Sequence, residues 1–94
     1  MIYKAEEWQD EIGNWHCGDV SHLAKNSNAW YHGARILGIP PAAFIKKLIE
    51  DFKPDDFYYS SDYSFCCWSW KNQSQMRKYK NWINAAARAA KYEI

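Results

Sequence analysis

Cysteine, proline and glycine are all scarce in this 94-residue sequence: it has three Cys, three Pro and four Gly. Cys17, Cys66 and Cys67 cannot build a disulfide framework, because neighbouring residues on a strand point to opposite faces and do not bridge. A reducing compartment is expected. Proline and glycine are too sparse for a linker or a low-complexity tract, and no internal repeat is present. Long apolar runs are missing too. Nowhere do about 18 apolar residues follow one another, and the opening residues 1–7 lack the apolar core of a signal peptide. Cytoplasmic residence without a membrane is the expectation. The chain also lacks a phosphate loop, a nucleophile elbow, a dinucleotide fingerprint and a paired catalytic carboxylate motif. Ninety-four residues suffice for one domain spanning 1–94, with little room for a deep cleft. A non-enzymatic protein with no cofactor is expected.

What the sequence has in surplus is aromatic residues, at 18% and including six Trp. They concentrate between Phe57 and Trp70, where Ser60-Ser61-Asp62 interrupts Phe57, Tyr58, Tyr59, Tyr63, Phe65, Trp68 and Trp70. That pattern predicts an antiparallel β-hairpin or meander. From Tyr63 onward both alternating faces are largely apolar, so one face packs on the core while the other is packed as well or left for a partner.

Helical spacing dominates elsewhere. Ala5, Trp8 and Ile12 predict a short helix over residues 3–12, stopped by Gly13-Asn14. Val20, Leu23, Ala24, Trp30, Tyr31, Ala34 and Leu37 predict one irregular or two abutting helices over 20–37, with Asp19 and Asn28 as candidate caps and Gly38 as the stop. Phe44, Ile45, Leu48, Ile49 and Phe52 stripe a helix over 41–52 that Pro41 opens and Pro54 closes. Met76, Tyr79, Ile83, Ala86 and Ala90 line a long final helix over about residues 74–92, capped by Asn72 or Ser74, whose small neighbours Ala85, Ala87 and Ala89 complement the bulky hairpin rings. The fold class is a small single-domain α+β protein, with three to four helices packed on a short hairpin or meander.

Net charge is only +1, but it is unevenly spread. Through Asp62 ten acids face six bases; beyond it six bases face Glu93 alone. A bipolar molecule follows. On the final helix Arg77, Asn81, Asn84, Arg88 and Lys91 recur at steps of three and four, flanked by Lys78 and Lys80. Such a stripe suits phosphates or an acidic protein surface. The acids Glu6, Glu7, Asp10 and Glu11 read as a solvated face. His16, Cys17, His22 and His32, with Cys66 and Cys67, are the residue types of a zinc site. Because no C-x2-C or H-x3-H spacing accompanies them, they read as surface histidines and buried thiols, and no metal is assigned. A Cys17–His22 pair lacks the third group that would orient a nucleophile.

The stretch Ala34-Arg35-Ile36-Leu37-Gly38-Ile39-Pro40-Pro41-Ala42-Ala43-Phe44-Ile45 resembles the core of a DNA-binding helix-turn-helix, with Ala34, Gly38, Ile39 and Phe44 in its small, turn and apolar places. The resemblance covers about a fifth of the chain. It departs where bases would be read, since Pro41, Ala42 and Ala43 carry no hydrogen-bonding side chains, and Lys47 stands where the motif is usually apolar. The leading expectation is an interaction protein, in the style of a phage or mobile-element accessory. It would bind a partner protein through Tyr59, Tyr63, Trp68 and Trp70 and through Arg77, Lys80, Arg88 and Lys91 of the basic helix. Nucleic-acid binding, through the corner at 34–45 or the helix at 74–92, is the alternative.

Overall fold

A turn at residues 10–14 folds the N-terminal segment back on itself, so that it pairs as strands. The computed structural model describes residues 1–18, 29–59 and 66–93, excepting the side chains of residues 29–31, 59 and 66. Strand β1 (Glu6–Gln9) runs antiparallel to β2 (Trp15–Gly18), with Glu7 opposite Cys17 and Trp8 opposite His16. The Asp10 carboxylate accepts the N–H groups of Ile12 at 3.1 Å and Asn14 at 2.9 Å, and Gly13 takes φ +96°. Glycine adopts that backbone region without steric cost. The helix expected over residues 3–12 is therefore corrected to a hairpin. Trp8 and Ile12 do not share a buried face: Ile12 is 82% exposed at the tip, while Trp8 stacks across the strands on His16 at 4.0 Å and 5°.

Helix α1 (Ala29–Leu37) ends at Gly38, whose φ is +66° and whose N–H donates to Arg35 O. The Ile39 N–H reaches Ala34 O at 3.1 Å, which completes the left-handed helix stop foreseen at this glycine. The segment expected as helix from Val20 to Asn28, with its caps Asp19 and Asn28, lies outside the described residues. Helix α2 (Pro41–Phe52) follows after a short turn and buries Phe44, Ile45 and Leu48. Gly33 lets α1 lie against it, because a Cβ there would stand 2.4 Å from the Phe44 ring. Lys53, at φ 46°, closes α2 by donating its N–H to Ile49 O.

Strands β3 (Asp56–Tyr59) and β4 (Cys66–Ser69) form the second hairpin, with Phe57 opposite Trp68 and Tyr58 opposite Cys67. One antiparallel bridge, Trp15 with Trp70, ties β2 to the end of β4 through N–H···O bonds of 2.6 and 2.8 Å. Helix α3 (Gln73–Ala90) then lies across β2 and against α1 and α2. It buries Met76, Tyr79, Ile83, Asn84 and Ala87, whereas Ala90 stays exposed. Tyr79 gathers the aromatic core: Trp70 stacks on it at 5.6 Å, and Trp68 and Phe52 meet it edge-on at 6.0 and 5.4 Å.

The result is a small α+β fold of two two-stranded antiparallel sheets and three helices among the described residues, the last helix long. None of the described helices is long and apolar enough to cross a membrane.

Candidate interaction surface

The surface is built on α3, whose ends are both well defined. At its start the Asn72 side-chain oxygen accepts the N–H groups of Ser74 at 2.8 Å and Gln75 at 3.4 Å, satisfying donors that a helix leaves open. At its end Lys91 turns left-handed with φ 52° and donates to Arg88 O, and Tyr92 donates to Ala87 O. With Met76, Tyr79, Ile83 and Ala87 turned inward, Arg77, Lys78, Asn81, Ala85, Arg88 and Ala89 are left exposed. No Asp or Glu occurs between Lys71 and Tyr92, so every charged side chain that this helix brings to its outer face is positive.

One acid reaches it from another element. Glu7 of β1 takes Arg77 in a two-point contact, Nε to Oε2 at 3.0 Å and Nη2 to Oε1 at 2.8 Å. Lys80 Nζ donates to Oε2 at 2.8 Å, and Gln73 Nε2 to Oε1 at 3.0 Å. The Arg77 bonds above all, then those of Lys80, hold the Glu7 carboxyl down to about 2 against its desolvation. Side-chain exposures of 50% for Arg77 and 24% for Lys80 leave the group in contact with water. Pairs of this kind contribute about 0–1 kcal/mol each, so they orient side chains more than they stabilise the fold.

A pH dependence follows. A carboxyl depressed in the folded state stabilises above its ordinary value near 4.5, and that contribution is lost as pH falls toward about 2. Asp10, lowered chiefly by His16, acts in the same direction. Melting temperature is expected to fall between pH 4.5 and 2, with a shallower fall in Glu7→Gln. Equal slopes for the two proteins would refute the assignment.

Of the residues expected to meet a partner, Arg88 and Lys91 are exposed and pair with no acid among the described residues. Arg77 and Lys80 are exposed and half-buried, and both engage Glu7. Trp68 and Trp70 require correction. They are 1% and 0% exposed, sealed beneath α3, and offer no ring surface. Tyr63 and the Tyr59 side chain lie outside the described residues. Asn84, counted with the outward stripe, is buried and fixes the backbone of Ala5 instead, accepting its N–H at 2.7 Å and donating to its carbonyl at 3.1 Å. Tyr58, at 57% exposure, is the large ring left open on the second hairpin among the described residues.

The other candidate sites are held by local structure. His16 Nε2 lies 2.7 Å from Asp10 Oδ2, beside an open depression of about 440 Å³ lined by Trp8, Gln9, Glu11 and Ile12. His32 Nδ1 meets the Tyr92 hydroxyl at 3.0 Å. Burial pushes the Cys17 thiol far up and raises Cys67 as well, so neither is poised as a thiolate. Among the described residues no three His, Cys, Asp or Glu side chains converge as metal ligands. His22 and the Cys66 side chain fall outside them.

The helix-turn-helix-like corner forms, with Ala34 and Phe44 buried at 5% and 0%. Its second helix begins with the exposed Ala42 and Ala43, and Lys47 is bonded to Asp51 at 2.9 Å.

Glu7 and Gln73 are the participants that sequence reasoning missed. Nothing local marks an acid whose partners lie 70 and 73 residues away. The only available hint was Arg77 and Lys80, three apart on a helix, in a chain whose first half is acidic. Comparison with family models, with curated proteins and with solved structures finds no match to this chain.

Proposed function

We propose that this chain is a small, non-enzymatic interaction protein that binds an acidic partner protein through the outer face of α3. The observation that supports this reading is the unbalanced charge of that face: Arg77, Lys78, Arg88 and Lys91 stand exposed along a helix with no acid of its own. Charges so arranged steer association and fix which partner is accepted. They also oppose self-pairing of two copies of α3, since like charges would face one another.

A protein partner suits the face better than a nucleic acid for two reasons. Single-stranded binding gains from rings on which bases stack, yet Trp68, Trp70 and Tyr79 are buried beneath the helix. Between Lys78 and Arg88 the exposed residues include Asn81 and Ala85, small enough to let another helix or strand approach closely.

The test is capture on immobilised protein, with elution by an acidic peptide compared with elution by duplex DNA of equal charge. Arg88→Glu is expected to weaken capture about tenfold or more while lowering the melting temperature by only a few degrees, because the side chain is exposed and a charge in the last turn of a helix contributes about 0.3–1 kcal/mol. Capture that survives Arg88→Glu and Lys91→Glu together would sink the reading. So would capture that disappears on nuclease treatment, which would point to the nucleic-acid alternative.

A further inference from the structure

Four donors from one face of α3 converge on a single carboxylate. Gln73, Arg77 and Lys80 are spaced four and three residues apart, so their side chains gather on neighbouring turns, and together they place hydrogen bonds of 2.8 to 3.0 Å on both Glu7 oxygens. This is the geometry that recognises a carboxylate: an arginine fork, a lysine point charge and a neutral amide.

Two properties distinguish it from a closed structural pair. Arg77 and Lys80 bring two positive charges to one negative charge, and no other acid pairs with them among the described residues. The cluster therefore keeps a net positive charge. Moreover, Glu7 engages Nε and Nη2 of a guanidinium whose side chain is half exposed, so donors remain for a second acid to touch before the first is released.

We infer that Gln73, Arg77 and Lys80 form a carboxylate-recognition site on α3, and that Glu7 occupies it in the isolated protein as a built-in competitor for an acidic side chain of the partner. The inference rests on the reading of α3 as the partner-binding face. Occupancy by Glu7 lowers affinity for weakly acidic surfaces and leaves those able to exchange for it, which makes the contact a specificity filter.

The probe is an acetylated, amidated tetraglutamate peptide, titrated at low salt while the amide resonances of residues 73–80 are followed. Glu7→Gln is expected to bind it about tenfold more tightly than the wild type, with the largest shifts at Gln73, Arg77 and Lys80. Adding Arg77→Ala to Glu7→Gln should return binding to the wild-type level. Glu6→Gln removes the same charge from the neighbouring exposed position and should change affinity less than twofold. Should Glu7→Gln fold poorly, Glu7→Asp keeps the charge, shortens the reach and is expected to give a partial gain.

No gain in a folded Glu7 variant overturns the inference, as does an equal gain in Glu6→Gln. These outcomes separate from the fate of the broader reading. Loss of partner capture in Arg88→Glu without any gain in the Glu7 variants removes this inference alone. Peptide binding at the cluster, with no acidic protein captured, removes the broader reading and with it the role of Glu7 as competitor for a partner's acid, and leaves the carboxylate site itself standing.

Discussion

Trp70→Ala is expected to destabilise the protein by about 3–5 kcal/mol, the usual cost of emptying a large aromatic site in a core. The ring is completely buried, stacks on Tyr79 at 5.6 Å and donates its indole N–H to Phe52 O at 2.7 Å. Alanine would leave a cavity where β4, the end of α2 and the middle of α3 meet, and would strand the Phe52 carbonyl. In a domain of this size each kcal/mol moves the melting temperature by about 4–8 °C, so a fall of about 12–40 °C should appear in thermal unfolding. A shift below about 5 °C would mean that the ring is not held as described. The variant therefore reports on folding, and partner binding must be probed at Arg88 and Lys91.

Asn84→Ala should be nearly as damaging, at about 2–4 kcal/mol, although it removes only a few atoms. Asn84 is 8% exposed, and its amide holds both the N–H and the carbonyl of Ala5, which is itself 2% exposed. Removing it leaves two buried backbone groups without those partners, each costing about 1–3 kcal/mol. The N-terminal segment is pinned to α3 at this point, so hydrogen exchange at the Ala5 amide should accelerate along with the loss of stability in urea. Unchanged exchange at Ala5 would show that the segment is anchored elsewhere.

Both variants mark the boundary of what the sequence makes legible. Where one periodicity ran long and ended on a clear signal, element and position agree: α2 between Pro41 and Phe52, and α3 opening at the Asn72 cap; the antiparallel pairing of Asp56–Tyr59 with Cys66–Ser69 agrees with the expected hairpin as well. Short windows misled. Residues 3–12 place Trp8 and Ile12 four apart, which imitates a helical stripe, while the Asp10 turn and Gly13 select a hairpin. Interior and exterior aromatics look alike in sequence. Trp68 and Trp70 could as well have faced a partner; Tyr79 of α3 packs on both rings, and Phe52 O takes the Trp70 indole N–H, so they face inward. The candidate site was legible as charge on one helix, with Arg88 and Lys91 outside. That Arg77 and Lys80 would be met by Glu7, and Asn84 taken by Ala5, depends on contacts across about 70 to 80 residues that no local pattern carries.

The bridge between Trp15 and Trp70 has a mechanical consequence. Among the described residues one bridged residue pair joins the two hairpins, so they sit as two leaves on a common spine, where Tyr79 of α3 stacks on the Trp70 ring. Parting the leaves would break the two N–H···O bonds of that bridge while the ladder inside each hairpin stayed paired. The spine, with its pair of indoles, is thus the natural point at which splaying of the leaves would register.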